Sequence, residues 1–401
     1  MSLDAARWWR TLLPEAGLRP AVTVRAGGCV IAIRSGEGTV LEWLRRYLRG
    51  FWPDGPAPAG SEAGRLAAEV TVVVDQAARY RLCAALGRPG AAEPVATFMA
   101  AAGLRAAGPG PAVLAGCPDQ RVGYLRDRDR VLVLGDDADA AGLAAVRVVR
   151  SAATAWLEGQ RWSLVHAAAA ARQGAGLAVI GPKGSGKTAA VMALAAFAGW
   201  QVIAHDRVFV GSVTGKPSEP SLLPWPSSLN IGLGLLHALG WADILRARYL
   251  GGEPVPYHQR DAVTAALLAG TRAPVRADGA ELKAQLFPAQ VRDWLGVELG
   301  SSAVLAAIVL PRIDLSRSRP VASPLAQAAF SEQDVFPAPG KTDYYPDFLR
   351  FTGQSPVARG QAALAAVRAT AAPVPAYQAV LGNDLAANAN LLARLVRGAG
   401  W

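Results

Sequence analysis

Lysine is scarce in this 401-residue chain: only five of its 41 basic residues, Lys183, Lys187, Lys216, Lys283 and Lys341, carry an ammonium. A GC-rich coding bias accounts for arginine elsewhere, and it makes a retained lysine a place where a compact point charge serves better than a planar fork. Cysteine is scarcer still. Cys29, Cys83 and Cys117 lie far apart, odd in number and without a CxxC pair, so they build neither a disulfide framework nor a zinc site, and a reducing cytoplasm is the expected compartment. Charged residues make up 18% against 52% hydrophobic, which excludes an intrinsically disordered polypeptide. Long hydrophobic runs are missing too. Residues 302–311 are too short to span a bilayer, and residues 1–20 intersperse Asp4, Arg7, Arg10 and Glu15 among apolar positions, so neither a membrane span nor an export signal is expected.

The net charge of +10 raises the question of nucleic acid. The arginines are scattered, and the one dense run, Arg126-Asp127-Arg128-Asp129-Arg130, alternates in sign and neutralises itself. No nucleic-acid partner is expected; the excess charge suits steering of an anionic substrate such as ATP.

The pattern along the chain predicts an α/β protein in two parts. Residues 1–138 read as a strand-rich α+β module without a chemical motif: a hairpin around Gly27-Gly28, a helix over 40–51, a Pro/Gly/Ala linker over 53–61, a strand over 69–75 and two strands across 121–134. Residues 139–401 read as a second domain. It opens with a helix over 139–160, and a segment over 163–171 precedes a strand over 177–180. An Ala-rich helix then runs to about 198, ended by Gly199, and a strand covers 201–205. Residues 216–226 are expected to be a loop, followed by helices near 229–239, 261–268 and 288–295, a strand over 304–310, and a closing strand (374–381) and helix (385–398). The Pro-bounded stretch holding Lys341, Asp343, Tyr344 and Tyr345 reads as a surface loop or a substrate clamp.

Between the strand at 177–180 and its helix stands GPKGSGKT, residues 181–188, which fits GxxxxGK[ST]. Gly181, Gly184 and Gly186 let the backbone turn its N–H groups inward around a polyphosphate, with Pro182, Lys183 and Ser185 completing the loop and the helix adding its positive end. Lys187 is expected to reach the β- and γ-phosphates of ATP, and Thr188 to offer its hydroxyl to Mg²⁺. No transporter-ATPase signature and no NKxD accompany it. Instead, within 20 residues of Lys187, a strand ends in VIAHDRVFV, placing Asp206 at a strand's carboxyl end, where open α/β sheets bind ligands.

That order of elements resembles the catalytic domain of HPr kinase/phosphorylase and the wider group of HPr-kinase-like small-molecule and peptide kinases, over about residues 140–400. The resemblance rests on Val165-His166-Ala167, the loop GPKGSGKT, the Ala-rich helix with its glycine, and Ala204-His205-Asp206-Arg207-Val208; weaker echoes follow at Lys283 and in the closing strand and helix. It implies a P-loop kinase domain, with ATP and Mg²⁺ as cofactors and with relatives that are often homo-oligomers. It implies transfer of the γ-phosphoryl to a Ser/Thr-type hydroxyl of a peptide or small metabolite, in a biosynthetic setting. Among the family positions, Asp206 is the catalytic base or the metal-side carboxylate with Thr188. His205 stands where the family carries a further carboxylate, and His166 matches the family histidine. Arg207 and Lys283 are candidates for phosphate or substrate. Packed, capping or ion-paired roles compete for His205, His166 and Arg207. Because His205 replaces an Asp, and no glycine-rich dephosphorylation signature is found, a specialised relative fits better than a true HPr kinase/phosphorylase. A non-catalytic ATP-binding sensor or scaffold, or a P-loop ATPase, is the alternative.

Overall fold

The computed structural model describes residues 8–9, 22–53, 66–108, 111–212, 219–256, 259–339, 342–343 and 345–398. It is a mixed α/β protein in two compact units. Most of the linker expected over 53–61, as well as Lys216, Lys341 and Tyr344, lies outside the described residues.

The first unit is built on an eight-stranded sheet. Its order is Val22–Ala26, Cys29–Ser35, Leu66–Val74, Arg130–Gly135, Val122–Asp127, Val113–Cys117, Ala102–Ala107 and Glu93–Ala96. The expected hairpin forms at Gly27-Gly28, whose φ angles of 53° and 85° suit glycine. Cys29–Ser35, Leu66–Val74 and Arg130–Gly135 run parallel, so the module is more α/β in character than its antiparallel half suggests. One face packs Leu82 and Leu86 of helix Gln76–Leu86 against Leu114, Leu125, Leu132 and Leu134.

The sequence pattern places helix Ala138–Gly159 at the opening of the second domain. Its contacts instead lie with helix Gly38–Leu48 and with strands Leu66–Val74 and Arg130–Gly135 of the first unit. Asp137 caps it through Ala140 N, Asp139 accepts from Trp43 Nε1 at 2.6 Å, and Gly142 lets Trp43 approach closely. Residues 337–362 also belong to this unit, a return that no local sequence signal announces.

The second unit, chiefly residues 161–336 and 363 onward, has its own nine-stranded mixed sheet. At its centre Ala175–Ile180 is flanked by antiparallel Ala167–Arg172 and by parallel Ala303–Ile313. Ala167–Arg172 is nearly all alanine, a composition that favours helix. It becomes a strand because Ala168 and Ala170 face one core and Ala167, Ala169 and Ala171 the other, and small side chains let both layers close on the sheet. Helix Lys187–Ala198 and helix Leu385–Gly398 pack together on one face. The loop expected at 216–226 contains strand Ser221–Pro224, which pairs with Val208–Gly211. Helix Pro356–Ala371 has no counterpart in the sequence reading.

Candidate functional site

The register of three strands assembles the site. Ala175–Ile180 ends at Gly181, and Ala167 pairs with Ile180, so His166 stands beside the start of the loop. Gln201–Ala204 runs antiparallel to Ala167–Arg172, with Ala204 opposite Ala169, so the turn that follows carries Asp206 back to His166. One rim of the sheet therefore bears, in order, Asp206, His166 and the GPKGSGKT loop.

The loop has the shape its glycines predict. Gly181, Gly184 and Gly186 take φ of 155°, 86° and 101°, all in the region that disfavours a side chain. A Cβ on Gly181 would stand 2.9 Å from Ser185 Oγ, and one on Gly186 2.5 Å from Ile313 Cδ1. Helix Lys187–Ala198 follows and ends at Gly199 in the left-handed conformation, φ 64°, whose N–H reaches Leu194 O. Lys187 is buried, and its Nζ donates to Gly181 O at 2.6 Å and Pro182 O at 3.1 Å, so the ammonium is folded over the loop mouth. Ser185 Oγ is buried and has no hydrogen-bond partner. A buried ammonium and a buried, unpartnered hydroxyl at the start of a helix are a donor set that fits phosphate oxygens. Pro182 and Lys183 are exposed.

Beside it, His166 Nε2 lies 3.3 Å from Asp206 Oδ1, and Arg207 Nε lies 3.4 Å from Asp206 Oδ2. Burial alone would raise the Asp206 carboxyl; the hydrogen bond with His166 and the charge of Arg207 outweigh it and hold the group well below the usual carboxylate range. Asp206 is thus a carboxylate at neutral pH. Its side chain is still 44% exposed, open to a reactant. The Arg207 guanidinium is sandwiched between Phe336, 4.3 Å to the ring centroid, and Trp225 at 4.8 Å. Sequence reading missed both aromatics, because their link to Arg207 is made only by the fold.

His205 points the other way. Its imidazole is 5% exposed and Nε2 has no hydrogen-bond partner; burial lowers its pKa to about 4, with Lys283 and Arg207 acting in the same direction against Asp206. It is neutral at neutral pH and turned into the protein. Lys283 is therefore brought within electrostatic reach of His205 although the two are far apart in the chain. The backbone of His205 serves the site: its carbonyl accepts from Thr188 Oγ1 at 3.4 Å, tying the first turn of the loop's helix to the Asp206 turn.

The Thr188 hydroxyl thus lies against the peptide that leads into Asp206, and a hydroxyl and a carboxylate suit an ion that keeps most of its coordination for water and phosphate, as Mg²⁺ does. Among the described residues no cluster of three or more His, Cys, Asp and Glu could hold a metal without such help. No helix of the described residues is long and apolar enough to cross a membrane. No family model and no curated protein matches this chain.

Proposed function

We propose that this protein is a P-loop phosphotransferase of the HPr-kinase-like type, acting with ATP and Mg²⁺ on a Ser/Thr-type hydroxyl of a peptide or small metabolite. One observation carries the reading: a histidine-bonded carboxylate, Asp206, stands on the same sheet rim as a loop shaped for polyphosphate. A nucleotide sensor or scaffold needs the loop alone and leaves the His166 and Asp206 pair without a task.

Bound in the loop, Mg·ATP supplies an electrophilic terminal phosphoryl group. The chain's own part is positioning and electrostatics. Loop N–H groups and Lys187 hold the phosphates, and Thr188 and Asp206 offer oxygens to the ion. Asp206 also accepts the proton of the incoming hydroxyl. His166 fixes the carboxylate's orientation, and Arg207, stiffened by Phe336 and Trp225, keeps it ionised. His205, inward and neutral, takes the packing role among the two left open by its sequence.

The test is incubation of the purified protein with Mg²⁺ and γ-labelled ATP in the presence of fractionated peptides and metabolites. Label should reach a hydroxyl acceptor with the wild-type chain and not with Lys187→Ala, while circular dichroism of the variant is unchanged. Turnover retained in Lys187→Ala sinks the assignment; phosphate release without any acceptor turns it into an ATPase.

A further inference from the structure

Strand Ala303–Ile313 is the parallel neighbour of the strand that feeds the loop, with Val179 opposite Val309. It does not stop where that strand stops. Its last residues run on beside the loop: Pro311 Cδ lies 3.8 Å from a Cβ built on Gly181, and Ile313 Cδ1 presses on Gly186. Between them in the chain is Arg312. It is exposed, and its guanidinium has no hydrogen bond, ion pair or ring contact with any described residue. The arginines around it are engaged: Arg317 binds Asp314 and Arg207 is stacked between rings.

Alternation turns Arg312 away from Pro311 and Ile313 and onto the face of Leu310. Leu310 packs on the core of Ile308, Val165 and Val208, and in the sheet the strand that feeds the loop lies between Ala167–Arg172 and Ala303–Ile313. The rim thus carries Asp206 and His166 on one flank of the loop and Arg312 on the other. A fork of donors suits the oxygens of a terminal phosphate better than a second ammonium would.

Resting on the nucleotide reading above, we propose that Arg312 is a phosphate-contacting residue that selects nucleoside triphosphate over diphosphate. The side chain crosses the rim and donates to the terminal phosphate, opposite the carboxylate that receives the acceptor's proton. The sequence offered no hint of this, since Arg312 belongs to no motif and is placed only by strand register.

The experiment is equilibrium binding of the full chain to Mg²⁺ with AMP-PNP, ADP or AMP, measured calorimetrically for wild type, Arg312→Ala and Arg312→Lys, with melting temperatures taken without nucleotide. Charge-assisted hydrogen bonds of this kind are worth about 10- to 100-fold in affinity. Arg312→Ala should lose about that much for AMP-PNP and little for ADP or AMP, at an unchanged melting temperature, and Arg312→Lys should recover part. Equal affinities in wild type and Arg312→Ala overturn the role of Arg312 and leave the nucleotide reading standing. A uniform loss for all three nucleotides with a lowered melting temperature also overturns it, as a structural effect. Absence of nucleotide binding by the wild-type chain removes both.

Discussion

His166 Nε2 sits 3.3 Å from Asp206 Oδ1, at the point where two neighbouring strands bring their ends to one rim. The pair gives the carboxylate both its orientation and its low proton affinity. Asp206→Asn removes base and ion ligand together, so phosphoryl transfer should fall by about 10²- to 10⁴-fold. His166→Ala keeps the carboxylate but deletes a bond that lowers its pKa. The Asp206 pKa then rises, and the acidic limb of the rate profile should move to higher pH, with a loss of about 10- to 100-fold at neutral pH. A lower rate with an unmoved acidic limb would show that His166 does not act through Asp206.

The same stretch explains what could and could not be read from the residues. GPKGSGKT was legible because the glycine spacing and the lysine before the threonine encode a backbone shape, and Gly181, Gly184 and Gly186 adopt it. Asp206 was legible as a residue at a strand end. Its neighbour was not: alternation left His205 undecided, since the strand stops at Ala204 and the turn after it sets both side chains. Registers between distant strands left no local trace, so the placement of Ile313 against Gly186 and the sandwich of Arg207 between Trp225 and Phe336 emerge only in the fold.

Burial of His205 makes stability depend on acid. Its folded pKa, about 4, lies below the ordinary value of 6.5, so the unfolded chain binds this proton first as pH falls. The contribution is complete above about pH 6.5 and is lost between there and pH 4, on the order of 3 kcal/mol. Urea melts at pH 7 and pH 5 should show wild type weakening over that interval. His205→Phe removes the titrating group, and its stability should change less between the two pH values; an equal loss in both proteins would exclude His205 as the source.

At Gly186 two costs coincide. The φ of 101° is strained for any L side chain, and an added Cβ meets Ile313 Cδ1 at 2.5 Å. Gly186→Ala should therefore destabilise the second unit by about 2 kcal/mol and weaken nucleotide binding, because the loop must shift to admit the methyl group. Adding Ile313→Ala clears the collision but leaves the backbone strain, so melting temperature should recover in part while binding stays impaired. Full recovery of both would assign the whole effect to crowding.

Residues 347–353, which follow the stretch read in the sequence as a surface loop or substrate clamp, are held in the first unit by their main chain. Arg105 and Arg126 donate to main-chain carbonyls of Phe348, Leu349 and Arg350, and Asp347 accepts from Phe351 N, Thr352 N and Gly353 N. Phe348, 2% exposed, stands edge-on to Phe98 and Tyr124 at 4.8 and 5.3 Å. Its truncation leaves a cavity beside those rings, so Phe348→Ala should destabilise the first unit by about 3–5 kcal/mol. Hydrogen exchange should then accelerate over 345–353 far more than over Lys187–Ala198, whose core is separate. If exchange over 345–353 is already fast in the wild-type chain and indifferent to Phe348→Ala, the packing of Phe348 does not hold the segment.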